Sequence, residues 1–402
     1  MKILMIAGVY PPLLNAEAIC NGKLALALSQ AGAEVTVVTQ NYPDTQGQRD
    51  DSACWDGNAL EVVRFDPPSP PLLTKLANLP AKAASHRLAT WFSAAAYRYC
   101  GRLLQTRQYD LVLTRSNPAD STIAGYRLKK KCRHIKWVAG LNDPDPYCMY
   151  PEPYGRGRPH GYLEKAQVAW TRAALDLANY ALFPCERLGK YMANKLELDL
   201  GPKTIIMPHI GWSRPPQKAS NGKLTILHAG SLLTRNGSAV LKGLCREISK
   251  IPALKNRISI VLMGKHNRMV EEQIKDFDHE GVLSLQDAVS YEQSLYKIAE
   301  ADALLLIEAV MEEGIYLPSK FCDYAASAKP LLLYTPETGS ISDLVGGYRH
   351  PGFLGQEEPR VGERIGAFLL KAANRQSLED YRYPRPHDFD PQKIAGQILS
   401  LS

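Results

Sequence analysis

The chain has 402 residues, a formal net charge of +7, 45% hydrophobic residues and 22% charged residues. At about 150 residues per domain this is two or three domains, and so ordinary a composition excludes disorder, collagen or coiled coil for the whole chain. The charge is uneven: residues 1–223 hold 28 Lys and Arg against 18 Asp and Glu (+10), whereas residues 224–402 hold 20 against 23 (−3), which points to different ligands for the two halves and to an anionic surface as a partner of the first.

Residues 3–9 (ILMIAGV) form a continuous apolar run, as in a strand buried on both faces. Lys2 and this run have the outline of a signal core, but Pro11-Pro12 breaks it and no A-x-A site follows, so it reads as a first strand. A helix with Leu24, Leu28 and Ala31 on one face ends at Gly32, placed as C′. The run VTVVT (35–39) completes a strand–helix–strand unit. Further strands are expected at 60–65, 110–115, 136–141, 181–185 and 204–210. The stretch 211–223 (GWSRPPQKASNGK), poor in apolar residues and holding two Pro, reads as a linker. The pattern then restarts: strands at 224–230, 258–264, 281–287, 303–309 and 330–335 alternate with helices to about 249, at 266–279, at 291–301 and from 318. Asp390 and Pro391 suit the N-cap and N1 of a terminal helix. Strands alternating with helices imply parallel sheets with helices on both faces, twice over, with ligands expected at the carboxyl ends of the strands in a cleft between the two. The fold class expected is α/β with two Rossmann-like domains.

The eight Cys contain no C-x-x-C pair, which argues against a zinc knuckle or a thioredoxin-like site and fits a reducing compartment. Neither G-x-G-x-x-G nor G-x-x-x-x-G-K-[ST] occurs, so dinucleotide oxidoreductases and P-loop NTPases lose support. The loops that stand instead have two readings each. In AGSLLTRNGS (229–238), Gly230 and Gly237 allow tight turns and Arg235 supplies a cation before a helix N-terminus, as a phosphate requires; the plain alternative is a strand–helix connection with a solvated Arg. In EEGIYLPSKFCDYAASAKP (312–330), Pro318 starts a helix, N–H groups near Ser319 and Lys320 face outward, Lys320 adds a cation, and Asp323 is placed to accept ribose hydroxyls or merely to favour the helix dipole. The D-x-D triplet Asp143-Pro144-Asp145 sits in a Pro-rich turn, where a turn-capping role competes with a site role. His209, after a strand, is either structural or a substrate contact.

Together these pieces resemble the retaining glycosyltransferases of family 4, which have the two-domain fold called GT-B. The resemblance rests on ILMIAGVYPP…GKLALALSQAGAEVTVVT, AGSLLTRNG, VLSLQDAVSYEQSLYKIAEADALLLI and EEGIYLPSKFCDYAASAKPLLL. It implies an acceptor-binding domain over 1–212, a linker over 213–223, a donor-binding domain over 224–380, and a terminal helix, 381–402, crossing back to the first domain. It implies transfer from a nucleoside-diphosphate sugar, such as a UDP-sugar, without a metal or other cofactor. Gly230, Ser231 and Arg235 are placed on the diphosphate. The family's usual second cation in this loop is missing, and Lys320 supplies the difference beside Pro318 and Ser319. Leu285, in VLSLQ (282–286), lies at the base. Asp323 matches the second Glu of the family's E-x7-E pattern. Ile315 stands where the first Glu is expected, leaving Glu312 and Glu313 as candidates for positioning the donor sugar. Asp143 is placed to orient or deprotonate the acceptor hydroxyl, with Asn15, Glu17 and His209 on the acceptor side. Asn15-Ala16 replaces a Gly-Gly, and Asn tolerates the left-handed backbone such a loop needs.

Residues 67–109 contain no Asp or Glu but hold Lys75, Lys82, Arg87, Arg98, Arg102 and Arg107, and 121–142 repeats the bias. Within the first stretch Leu88, Phe92, Ala95, Tyr99 and Leu103 recur at helical spacing. Basic amphipathic segments suit peripheral docking on anionic lipid; a core helix with a solvated basic face is the alternative. The functional expectation is a cytoplasmic retaining glycosyltransferase, docked on the inner face of the membrane, extending a lipid-linked or other cell-surface glycan, with no nucleic-acid partner. A nucleotide-sugar 2-epimerase of the same fold and a non-catalytic nucleotide-sugar or lipid-binding protein are the other readings.

Overall fold

The structure, a computed structural model, describes residues 1–402 except 43–48, 51–54, 56–58, 85–88, 217–222, 234, 236, 255–256, 278–280, 357–359 and 402. Arg87, Leu88 and part of the expected linker therefore lie outside the described residues. The chain divides into two compact units, Met1–Ile210 with Pro391–Ser402, and Gly211–Asp390.

The first unit runs β1 (Lys2–Ala7), α1 (Ala16–Gln30), β2 (Glu34–Gln40), β3 (Leu60–Phe65), α2 (Pro71–Ala84), α3 (Trp91–Thr106), β4 (Leu111–Ser116), α4 (Asp120–Lys131), β5 (Trp137–Leu141), α5 (Gly161–Leu177), β6 (Tyr180–Phe183), α6 (Glu186–Leu196) and β7 (Thr204–Ile206). The strands form one parallel sheet in the order β3-β2-β1-β4-β5-β6-β7, with Ile3 of β1 opposite Val35 and Leu111. Apart from the β2–β3 connection, each crossover returns through a helix, and β1, β4 and β5 are buried almost throughout. The last strand is shorter than its apolar run suggested: the ladder with β6 ends at Ile206, closed by the Met207 N–H on the Phe183 carbonyl (2.8 Å), and 208–210 continue beyond it.

Helix α3 turns a different face inward from the one its apolar spacing suggested. Phe92, Ala96, Cys100 and Leu103 are buried, whereas Ala95 and Tyr99 are not. Small side chains at 96 and 100 allow close packing, and Tyr99 lies edge-on to Phe65 at the margin, 5.4 Å between ring centroids.

The second unit runs β8 (Leu224–Ala229), α7 (Ser238–Ser249), β9 (Ile258–Met263), α8 (Arg268–Phe277), β10 (Leu283–Gln286), α9 (Tyr291–Glu300), β11 (Ala303–Ile307), α10 (Ser319–Ala326), β12 (Leu331–Tyr334), α11 (Ser340–Val345) and α12 (Arg360–Ala373). Its parallel sheet has the order β10-β9-β8-β11-β12. A core of Val240, Leu244, Ile260, Leu305, Ile365 and Phe368 fills the space between sheet and helices.

The terminal helix α13 (Pro391–Leu399) belongs to the first unit and packs against α1. It begins at Pro391, the expected N1, while 381–390, counted with the helix in the domain reading, lie outside it. Residues Glu379–Tyr381 and Pro386–Phe389 form two short 3-10 turns instead, because Tyr383 and Phe389 are drawn into the second unit against Phe321, at 5.4 and 5.8 Å between ring centroids.

Candidate functional site

In the second unit, the loop after β8 and the start of α10 converge at the carboxyl end of the sheet. The Gly230 N–H donates to the carbonyl of Met263 (2.7 Å) and the Leu232 N–H to that of Lys265 (2.8 Å), which holds the loop along β9. Arg235 Nη1 donates to the Ile307 carbonyl at the end of β11 (3.1 Å). Pro318 is the N-cap of α10, with extended backbone, so Ser319 and Lys320 form its first turn. Lys320 reaches back over Gly230: a Cβ added to Gly230 would lie 1.6 Å from Lys320 Nζ. Glycine suits the position twice over: its φ is +157°, and a bare Cα lets the amine lie against it. The hydroxyl of buried Tyr324, one turn along α10, accepts the Ala229 N–H at 2.7 Å and ties the helix to β8.

Burial and charge act on one another within this cluster. Burial and the neighbouring Arg235 charge push the Lys320 amine well below the usual lysine range, and Glu308 partly opposes them. Glu308, the first residue after β11, is buried. Burial raises its carboxyl to about 7, while the Thr335 hydroxyl, which donates to Oε2, and the charges of Arg235 and Lys320 pull it down. A guanidinium and an amine thus face a buried acid at the carboxyl end of the sheet.

Glu308 was not singled out from the sequence. The signal was its position, the first charged residue after the apolar run ALLLI at the carboxyl end of a strand. Glu312 and Glu313, expected on the donor sugar, are both exposed, on a loop pinned where the Gly314 N–H meets the Thr338 carbonyl (2.9 Å). Ser231 is exposed, and its hydroxyl accepts the Leu233 N–H at 3.3 Å. Leu285 lies on the edge strand β10 and packs against the core. Asp323 is buried, and its Oδ1 accepts the Trp212 N–H (2.8 Å) and the Tyr291 hydroxyl (3.1 Å), so this oxygen anchors the chain where it enters the unit.

In the first unit the candidates gather at the carboxyl ends of β1, β4 and β5. Arg115, on β4, is buried and donates from Nε to Asn21 Oδ1 (3.0 Å) and from Nη2 to Asn142 Oδ1 (2.6 Å). Asn142 in turn donates to Glu17 Oε2 at 2.6 Å. Glu17 Oε1 and Arg115 Nη1 have no protein partner. Burial raises Glu17 to about 7 against the pull of Arg115. Asp143, next in sequence to Asn142, is raised to about 6 by burial, with a Tyr150 hydrogen bond opposing. Burial alone raises Asp145 to about 7, and its Oδ2 has no partner. The structure thus brings Glu17 and Asp143 into one electrostatic group. Asn21, Arg115 and Asn142, which link it, were not anticipated.

Asn15 departs from its expected conformation. Its backbone is extended (φ −144°, ψ 163°), and its side chain accepts the Ala18 N–H at 2.7 Å as the N-cap of α1. Capping the first turn of α1, rather than a left-handed turn, explains Asn here. His209 is buried just beyond β7, within the first unit.

With this geometry established, comparison with known proteins adds the following. Residues 21–210 match the family model described as Glycosyltransferase Family 4. No curated protein matches the chain in sequence. Among solved structures, the sucrose-phosphate synthase of Thermosynechococcus elongatus is 14% identical with a TM-score of 0.68, covering 100% of this chain and 98% of that one. A TarM variant of S. aureus, in complex with Fondaparinux, alpha-GlcNAc-glycerol and UDP, is 10% identical with a TM-score of 0.63, covering 100% and 99%. A putative UDP-N-acetylglucosamine 2-epimerase from Listeria monocytogenes is 13% identical with a TM-score of 0.60, covering 99% and 95%. The fold is GT-B, two Rossmann-like α/β units with parallel sheets. The first unit carries the sequence pattern of Glycosyltransferase Family 4 over 21–210.

Proposed function

We propose that the chain is a metal-independent retaining glycosyltransferase, moving a sugar from a nucleoside-diphosphate sugar to a hydroxyl of a lipid-linked or other cell-surface glycan at the cytoplasmic face of a membrane. The observation that carries this reading is the Arg235–Lys320–Glu308 cluster, with Lys320 Nζ laid over the bare Cα of Gly230. In the reaction the bond from the anomeric carbon to the diphosphate oxygen breaks, and a bond to the acceptor oxygen forms with net retention. Arg235, Lys320 and the first N–H groups of α10 stabilise the charge that grows on the departing diphosphate. A bound diphosphate also favours the charged form of Lys320. In the first unit, Glu17 and Asp143 hold raised carboxyls beside unpartnered oxygen and guanidinium atoms, which suits orienting the acceptor hydroxyl and taking its proton.

Membrane docking is supported by α2. Leu72, Leu73, Leu76 and Leu79 are exposed, at 64%, 45%, 51% and 60%, on a helix that also carries Lys75 and Lys82 in the acid-free stretch. Four exposed leucines on one short helix with basic neighbours fit insertion at an anionic lipid interface. Among the described residues no helix is long and apolar enough to cross a membrane.

Incubation with a panel of UDP- and GDP-sugars, followed by mass spectrometry, tests the reading. Donor hydrolysis or transfer supports it. The similarity to a putative 2-epimerase and the buried acids of the first unit favour one second reading, nucleotide-sugar 2-epimerisation, and isomerised donor with no transfer would establish that instead.

A further inference from the structure

Within the first unit, on the β3 side of β1, an open pocket encloses about 340 Å³, solvent side included, between Tyr10, Gln40, Asn41, Tyr42, Arg49 and Arg64. It lies at the carboxyl ends of β1, β2 and β3: Tyr10 follows β1, Gln40 ends β2, and Arg64 is next to last in β3. Arg64 is held in place. Its Nη2 donates to the Pro11 carbonyl at 2.6 Å, and its guanidinium stands 5.7 Å from the centroid of the Tyr10 ring. Its other N–H groups have no protein partner among the described residues. Among the described residues the charges acting on it come from Tyr10 and Arg49, with no carboxylate. Asp66, the acid nearest in sequence, accepts instead from Asn41 Nδ2 at 2.7 Å. Gln40 and Tyr42 bond to one another (2.9 Å) and both donate to the Gly8 carbonyl (3.2 Å each), fixing the opposite wall. The hydroxyl of Tyr10 is buried without a partner.

Two guanidiniums of like charge in one polar pocket, with no acid against Arg64 among the described residues, define a site for an anion. We propose that this pocket recognises the anionic group, phosphate or carboxylate, of the sugar unit that accepts the transfer. This rests on the glycosyltransferase reading, because it makes the ligand an acceptor. The fork of Arg64 suits the paired oxygens of either anion.

Glucose 6-phosphate, glucuronate and glucose serve as probes, titrated by calorimetry into the full chain saturated with UDP, so that phosphate uptake by the second unit is not read. One or both anionic probes should bind and glucose should not; which of the two binds distinguishes phosphate from carboxylate. Arg64→Gln, at an exposed residue, should weaken that binding at least tenfold, with Arg49→Gln weakening it less, and neither should change UDP affinity or melting temperature. Arg235→Ala should leave it intact. Equal binding of glucose, no binding of either anionic probe, or full binding by folded Arg64→Gln would overturn the proposal, whatever the donor. Binding of the anionic probes by a chain that fails to bind UDP would retain the pocket and remove the glycosyltransferase reading.

Discussion

Gly230→Ala is the sharpest perturbation of the donor cluster. The added Cβ would fall 1.6 Å from Lys320 Nζ, while real Cβ contacts essentially never come under 3.0 Å, so the amine must retreat by at least about 1.4 Å. The next contacts, Lys320 Cε at 2.7 Å and Cδ at 3.6 Å, belong to the same flexible side chain, so the backbone is not forced to move. Gly230 itself has φ +157°, which an L residue rarely adopts, so alanine also strains the backbone and should cost about 1–3 kcal/mol of stability. The displaced ammonium loses its place at the diphosphate, and removing one preorganised charge partner of a transition state costs about 3–4 kcal/mol, or roughly 10²–10³ in kcat. The assay is donor turnover by Gly230→Ala, Lys320→Ala and the double variant, with melting temperatures alongside. If glycine acts by making room for Lys320, the double variant should be no worse than Lys320→Ala alone, a strongly non-additive cycle. Near-normal turnover in folded Gly230→Ala, or losses that simply add, would refute the reasoning.

Glu308 has a carboxyl raised to about 7 from an ordinary 4.5. An acid whose folded value lies above its unfolded one binds more protons when folded, so it makes stability fall as pH rises from about 4.5 to 7. Glu308→Gln, which keeps an acceptor for Thr335, should remove that slope and stabilise the chain above pH 7 by up to about 3 kcal/mol, read by denaturant unfolding across pH; an unchanged slope would contradict the burial argument. Asp323→Leu removes the acceptor of the Trp212 N–H and of the buried Tyr291 hydroxyl and should cost about 2–4 kcal/mol, whereas Asp323→Asn should cost clearly less; equal costs by thermal melting would show that the carboxylate's acceptor role is not what matters. Leu76→Glu with Leu79→Glu should abolish flotation with anionic vesicles at low salt and leave the melting temperature within a degree or two, because both side chains are exposed. Retained flotation would remove α2 from the docking surface. Asn15→Ala should cost about 1 kcal/mol as a lost N-cap and Asn15→Ser almost nothing; a raised acceptor KM in stable Asn15→Ser would show a substrate contact as well.

The positions of the strands were legible because a strand buried on both faces leaves a continuous apolar run, as ILMIAGV and ALLLI do. Run length was less faithful: TIIMPHI pairs over only Thr204–Ile206, because pairing depends on where the neighbouring strand ends. The loop holding Gly230 and Arg235 and the helix opened by Lys320 were legible, but not that the lysine lies on the glycine, which depends on α10 folding back along β8.

By itself, the sequence determined two α/β halves, their opposite charge balance, and the loops able to meet an anion, since these follow from periodicity and local turn chemistry. The tertiary structure decided what each polar residue does. Helix α1 looked one-sided in sequence, yet it is buried over nearly all of Ala18–Leu28, including Asn21 and Lys23, because α13 covers the face turned from the sheet. Lys23 there bonds the Ile210 carbonyl at 3.0 Å, 187 residues away. Glu308, Asp323 and Glu17 carry the same chemistry as any exposed acid. Only burial and the distant partners brought to each make one a raised acid beside two cations, one an anchor for the entering chain, and one a proton-holding group beside Asn142.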